Sequence, residues 1–112
     1  MTEIDLTTFE NLKKTSGADF INELVDTFLD DAPKQVRDMK TALKAQDAES
    51  FRRAAHSLKS NSATFGAQRL ADLSRELEIL GKENNLGDAG HRLESLERVL
   101  EAVEVELKGL KT

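Results

Sequence analysis

Apolar residues recur three and four positions apart along almost the whole chain, and strand-like alternation persists nowhere. Such spacing places the apolar side chains on one stripe of an α-helix. One proline and six glycines in 112 residues leave few points at which helices can break. The chain reads as all helix. A first short helix spans about Asp5 to Lys14, with Leu6, Phe9 and Leu12 or Lys13 in register, and Thr15-Ser16-Gly17 ends it. A second runs from about Ala18 to Ala45, with Ile21, Leu24, Val25, Phe28, Leu29, Ala32, Val36, Met39 and Leu43 on one broad face. Pro33 lies inside it, and Asp30-Asp31-Ala32-Pro33 resembles a helix start. The apolar stripe stays in phase across the proline, so one long kinked helix is expected in place of two.

Asp47 is placed to cap a third helix, about Ala48 to Phe65, which Gly66 can close in the left-handed conformation. A fourth follows from about Gln68 to Lys82, with Leu70, Leu73, Leu77 and Leu80 as its stripe. After a loop at Glu83-Asn84-Asn85-Leu86-Gly87, the last runs from about Asp88 to Leu110 with heptad-like leucines and valines. Four long amphipathic helices with short connections predict an antiparallel four-helix bundle, with the short N-terminal helix covering one end. Residues 1–112 are expected to form one domain, large enough for a core without staples. The chain has no cysteine, hence no disulfide framework or thiolate metal site. No apolar run reaches the length of a membrane span, and the acidic start Met1-Thr2-Glu3-Ile4-Asp5 is unlike a signal peptide. A cytoplasmic protein is the expectation. Net charge of −5 argues against nucleic-acid binding.

Within the third helix Phe51, Ala55, Leu58, Ser62 and Phe65 form the inward stripe. At about 100° per residue, His56 lies roughly 140° from the stripe centre and faces outward. Lys59 stands one turn ahead of it and Arg52 one turn behind, on the histidine's side. Ser60 and Ala63 continue that face as small residues. A lone surface histidine on a helix is ordinarily just solvated. Here the neighbouring ammonium and the lack of bulk suit a nucleophilic imidazole that takes a phosphoryl group from another protein. Arg52 and Arg53 are expected to make the field around it positive and to attract an acidic partner pocket. Ser62 points inward and is expected to bond a carbonyl one turn back. His91 reads as a solvated residue, and no spacing of His56, His91 and carboxylates supports a metal site. Phe20 and Leu29 at the edges of the second helix's stripe, and Ile79 and Val105 nearly opposite the stripes of their helices, read as scattered or covered by the first helix. Apolar residues of the second helix near His56 are the best docking candidates.

The run His56-Ser57-Leu58-Lys59-Ser60-Asn61-Ser62-Ala63-Thr64-Phe65-Gly66 resembles the signature of histidine-containing phosphotransfer (HPt) domains, His-x-x-Lys-Gly followed by small residues and a glycine. The resemblance covers nearly the whole chain, since that family is a helical bundle of about this length. It implies His56 as phosphoacceptor, Lys59 as the cation stabilising the phosphoryl group, and Ser62 and Gly66 as structural positions. Arg52, Arg53, Ser60 and Ala63 are the expected docking residues. Ser60 departs from the family's usual glycine but is still small. The resemblance also implies that the second helix continues through Pro33.

The implied function is relay of a phosphoryl group between receiver domains of response regulators, with a hybrid histidine kinase as a possible further partner. The protein itself would be a monomeric phosphocarrier and not an enzyme, without cofactor or metal; magnesium would belong to the receiver. Histidine kinases place an acidic base directly after their phosphorylated histidine. Here that residue is Ser57, so no base is expected beside His56 and the phosphohistidine should persist. No glycine-rich nucleotide loop is present. Two alternatives stay open: the phosphoacceptor domain excised from a chemotaxis-type or hybrid kinase, and a helical adaptor that is never phosphorylated.

Overall fold

The computed structural model describes residues 2–111, which contain five helices and no strand. They are α1 (Leu6–Ser16), α2 (Ala18–Ala45), α3 (Ala48–Thr64), α4 (Gln68–Lys82) and α5 (Ala89–Leu110). α2 packs on α3 and α5, and α4 packs on the same two, so these four helices close around one core. Buried residues from every helix fill it, among them Ile21, Val25, Met39, Phe51, Leu58, Leu70, Leu77, Leu96, Val103 and Leu107.

α2 is one continuous helix with Pro33 inside it. A helix of 28 residues is about 42 Å long, close to the 41 Å long axis of the molecule. The proline removes one backbone donor. Ala32, Val36 and Met39 nonetheless continue the buried row begun by Ile21, Val25 and Phe28. Burial of that unbroken stripe outweighs the local cost.

α1 packs on α2 and covers the end of the bundle where α3 turns into α4. The Asp5 amide donates to the Gly66 carbonyl at 3.0 Å. Phe65, just past α3, stacks on Phe9 of α1 and meets Phe28 of α2 edge-on, with ring centroids 6.5 and 5.4 Å away. Gly66 adopts φ +75°, and a Cβ there would stand 2.8 Å from Thr8 Cβ. Both the backbone conformation and the close approach of α1 require glycine. At the other end of α3, Asp47 caps the helix by accepting from the Ser50 amide at 3.1 Å. Glu106 of α5 holds the N-terminal segment, accepting from the amides of Glu3 and Ile4 at 2.7 and 3.0 Å.

The expected helix boundaries hold to within one or two residues: α1 continues to Ser16, and α3 stops at Thr64. Leu29 packs partly buried against the core, whereas Phe20, Ile79 and Val105 are exposed. No helix among the described residues is long and apolar enough to cross a membrane.

Candidate functional site

His56 projects from the middle of α3 with half of its side chain exposed, because the burial of Phe51, Ala55, Leu58 and Ser62 fixes the roll of the helix. Ser62 is fully buried and satisfies its hydroxyl on the Leu58 carbonyl at 2.6 Å. Ser60 and Ala63 lie exposed on the histidine's side.

The residue that organises the site comes from the neighbouring helix. Glu78 of α4 reaches across so that one carboxylate oxygen lies 2.6 Å from His56 Nδ1 and the other 2.6 Å from Lys59 Nζ. Burial alone would raise the Glu78 carboxyl's pKa. The hydrogen bonds from Lys59 and His56, with the charges of the same two groups, outweigh burial and hold it below its ordinary value. Glu78 is therefore ionised at neutral pH and accepts only. The proton on neutral His56 must then sit on Nδ1, and the lone pair is left on Nε2, which has no hydrogen-bond partner among the described residues.

Two sequence expectations change here. A base was not expected beside His56 because Ser57 follows it; the carboxylate instead arrives from α4, twenty-two residues away in sequence. Glu78 lies one position past Leu77 in the apolar stripe of α4, and nothing local to His56 signals it. The positive field expected around His56 is also moderated. Arg52 donates to Glu49 at 2.6 and 3.1 Å, Arg53 reaches the same carboxylate at 3.2 Å, and Lys59 is half-buried against Glu78. Glu49 is held below the usual carboxylate range, chiefly by the hydrogen bond from Arg52.

The surface of α2 beside the site is mixed, polar side chains together with Ala42 and Ala45. Asp31, Lys34, Gln35 and Asp38 line an open groove whose α3 wall includes Arg53 and Ser57, the residue after His56. His91 is exposed near the start of α5. Among the described residues no group of three or more His, Asp and Glu side chains could hold a metal ion.

An all-α bundle with an outward histidine on one helix, braced by a carboxylate from the next and flanked by a lysine one turn on, has the form of a histidine phosphotransfer module. The family model for the Hpt domain matches residues 23–106, and this chain belongs to that family. It is similar to histidine-containing phosphotransfer protein 2 of Arabidopsis thaliana, with 28% identity over 109 residues. That match covers 95% of this chain and 65% of the relative, so this chain spans about two thirds of that protein's length. It is also similar to the crystal structure of histidine-containing phosphotransfer protein B (HptB) from Pseudomonas aeruginosa PAO1. The TM-score is 0.92 at 31% identity, covering 97% of this chain and 94% of that one.

Proposed function

We propose that this chain is a phosphocarrier that accepts a phosphoryl group on His56 from an aspartyl phosphate of a response-regulator receiver domain and passes it to another receiver. The observation that carries the reading is the shared carboxylate of Glu78, 2.6 Å from both His56 Nδ1 and Lys59 Nζ. In the forward step the Nε2 lone pair attacks phosphorus. The bond from phosphorus to the aspartyl oxygen breaks, and the carboxylate leaves with the electron pair. The imidazole becomes cationic without any proton moving, because Nδ1 keeps its hydrogen on Glu78. That arrangement stabilises positive charge as it develops on the ring. Return is the reverse: a receiver carboxylate attacks phosphorus and the P–N bond breaks.

Lys59 supports the phosphoryl charge as the group passes between donor and acceptor, turning from Glu78 toward the incoming oxygens. Glu78 lies on the Nδ1 side of the ring with both oxygens engaged. It is poorly placed to activate water at Nε2, so the phosphohistidine lasts long enough to be handed on. Magnesium belongs to the receiver's own carboxylates. The receiver rests on the exposed Arg53, Ser60 and Ala63 and on the groove between α2 and α3, with Arg52 contributing from beneath through Glu49.

The test is incubation with a receiver pre-phosphorylated on aspartate. Wild type should take up label that is acid-labile and base-stable. His56→Gln should take up none, while His91→Gln labels normally. Label on His56→Gln would sink the assignment. A wild type that binds the receiver but never accepts label would favour the adaptor reading.

A further inference from the structure

Gly81 stands in the last turn of α4, three residues beyond Glu78, and is buried. Its φ is not positive, so its backbone conformation does not call for glycine. In a helix interior glycine costs about 1 kcal/mol relative to alanine. Space is what calls for it. A Cβ at Gly81 would lie 3.0 Å from both Cα and Cβ of Arg52 and 3.1 Å from the Ala48 carbonyl oxygen. Arg52 Cα and the Ala48 oxygen are backbone atoms of α3 and cannot swing aside.

Arg52 precedes His56 by one turn, as Glu78 precedes Gly81 by one turn. The place where the two backbones come together is therefore one turn from the His56–Glu78 hydrogen bond on both helices. Ordinary carbon contacts need about 3.5–4.0 Å. Relieving an added methyl at Gly81 would need α4 and α3 to part by a few tenths of an ångström, and a larger side chain there would need more. A hydrogen bond of 2.6 Å lengthens and weakens as the helices part, and is lost beyond about 3.2 Å.

We infer that Gly81 is a positioning residue: its missing side chain lets α4 lie against the backbone of Arg52, and that closeness keeps Glu78 within hydrogen-bond reach of His56 and Lys59. The inference deepens the phosphotransfer reading and rests on Glu78 acting on His56 in that reaction.

The test compares wild type, Gly81→Ala, Gly81→Val and Glu78→Gln. The ring nitrogens of His56 are followed by ¹⁵N NMR and the Glu78 carboxyl by ¹³C NMR titration, with thermal melts alongside. Transfer to His56 is timed from a phosphorylated receiver. In Gly81→Ala the Nδ1–H form of His56 should lose population, and the Glu78 titration should move up toward its ordinary value. Transfer should slow by about fivefold or more. Gly81→Val should show the same changes more strongly, and if it fails to fold the alanine variant decides. Adding Gly81→Ala to Glu78→Gln should slow transfer no further. Unchanged ring tautomer and Glu78 titration in Gly81→Ala would overturn the inference even if the melting temperature fell, because Gly81 would then serve packing alone. If the NMR signatures shift but neither Gly81→Ala nor Glu78→Gln slows transfer, the positioning stands and the role of Glu78 in the reaction fails.

Discussion

Lys59 illustrates how far a single residue's surroundings can change its expected behaviour. On helical spacing it is a solvated surface charge whose removal should cost almost nothing. In the structure it is half-buried and ion-paired at 2.6 Å with a carboxylate that is itself mostly buried. Lys59→Ala should therefore destabilise the protein by about 1 kcal/mol, leaving Glu78 with one partner where it had two. It should slow phosphoryl transfer roughly ten- to hundredfold, at or below the lower end of the range for losing a charge-stabilising donor, because the site is open to water. Urea denaturation and single-turnover transfer read the two effects separately. Equal transfer rates in wild type and variant at low salt would return Lys59 to the status of a surface charge.

Glu78 also predicts a pH dependence. Its folded pKa lies below the ordinary 4.5. A carboxylate depressed on folding stabilises the native state above its unfolded pKa, and that stability is lost as pH falls through the folded value. The stability gap between wild type and Glu78→Gln should thus be full above about pH 5 and shrink progressively below about 4.5. Denaturation midpoints of the two proteins measured across that range check it. A gap that does not change between neutral and acidic pH would mean that the hydrogen bonds to Glu78 contribute no net stability.

At the scale of elements, α2 was legible because its apolar residues keep one phase through Pro33, and phase over many residues is a stronger signal than one breaker. The proline still lacks a donor where the helix has an acceptor to fill. Pro33→Ala should raise stability by about 1–2 kcal/mol, less than the full interior cost of proline since Pro33 also restricts the unfolded chain. The melting temperature reports it, and a fall would show that the local geometry at Pro33 is needed by the packing around it. The turn from α3 to α4 was legible through Gly66, whose left-handed backbone is the expected one. What spacing did not reveal there is the second demand on the same glycine, the closeness of Thr8 on α1.

For the molecule as a whole, the face around His56, Ser60 and Ala63 is open and nearly free of bulk, and the groove between α2 and α3 opens beside it. A receiver seated over His56 would lie on Ser60. Ser60→Gly and Ser60→Ala should transfer almost normally. Ser60→Gln should weaken receiver binding and slow transfer by steric overlap, with helical content and melting unchanged because the position is exposed. Affinity and transfer rate measured together decide it. Unimpaired transfer by Ser60→Gln would mean that the receiver approaches from another side.

The helices, their ends, the inward stripe and the outward histidine follow from the sequence because each depends on residues a few positions apart on one rigid rod. The periodicity of α3 is enough to aim His56 at solvent and Ser62 at the core. The partnership of His56 with Glu78 is of another kind. It depends on how α4 rolls and how closely it approaches α3, and both are set by the simultaneous burial of Leu58, Leu70 and Leu77 and by the room left at Gly81. The same holds for the carboxylate that takes up Lys59. Helical phase places a side chain on its own helix; only the packing of two helices decides which carboxylate it meets.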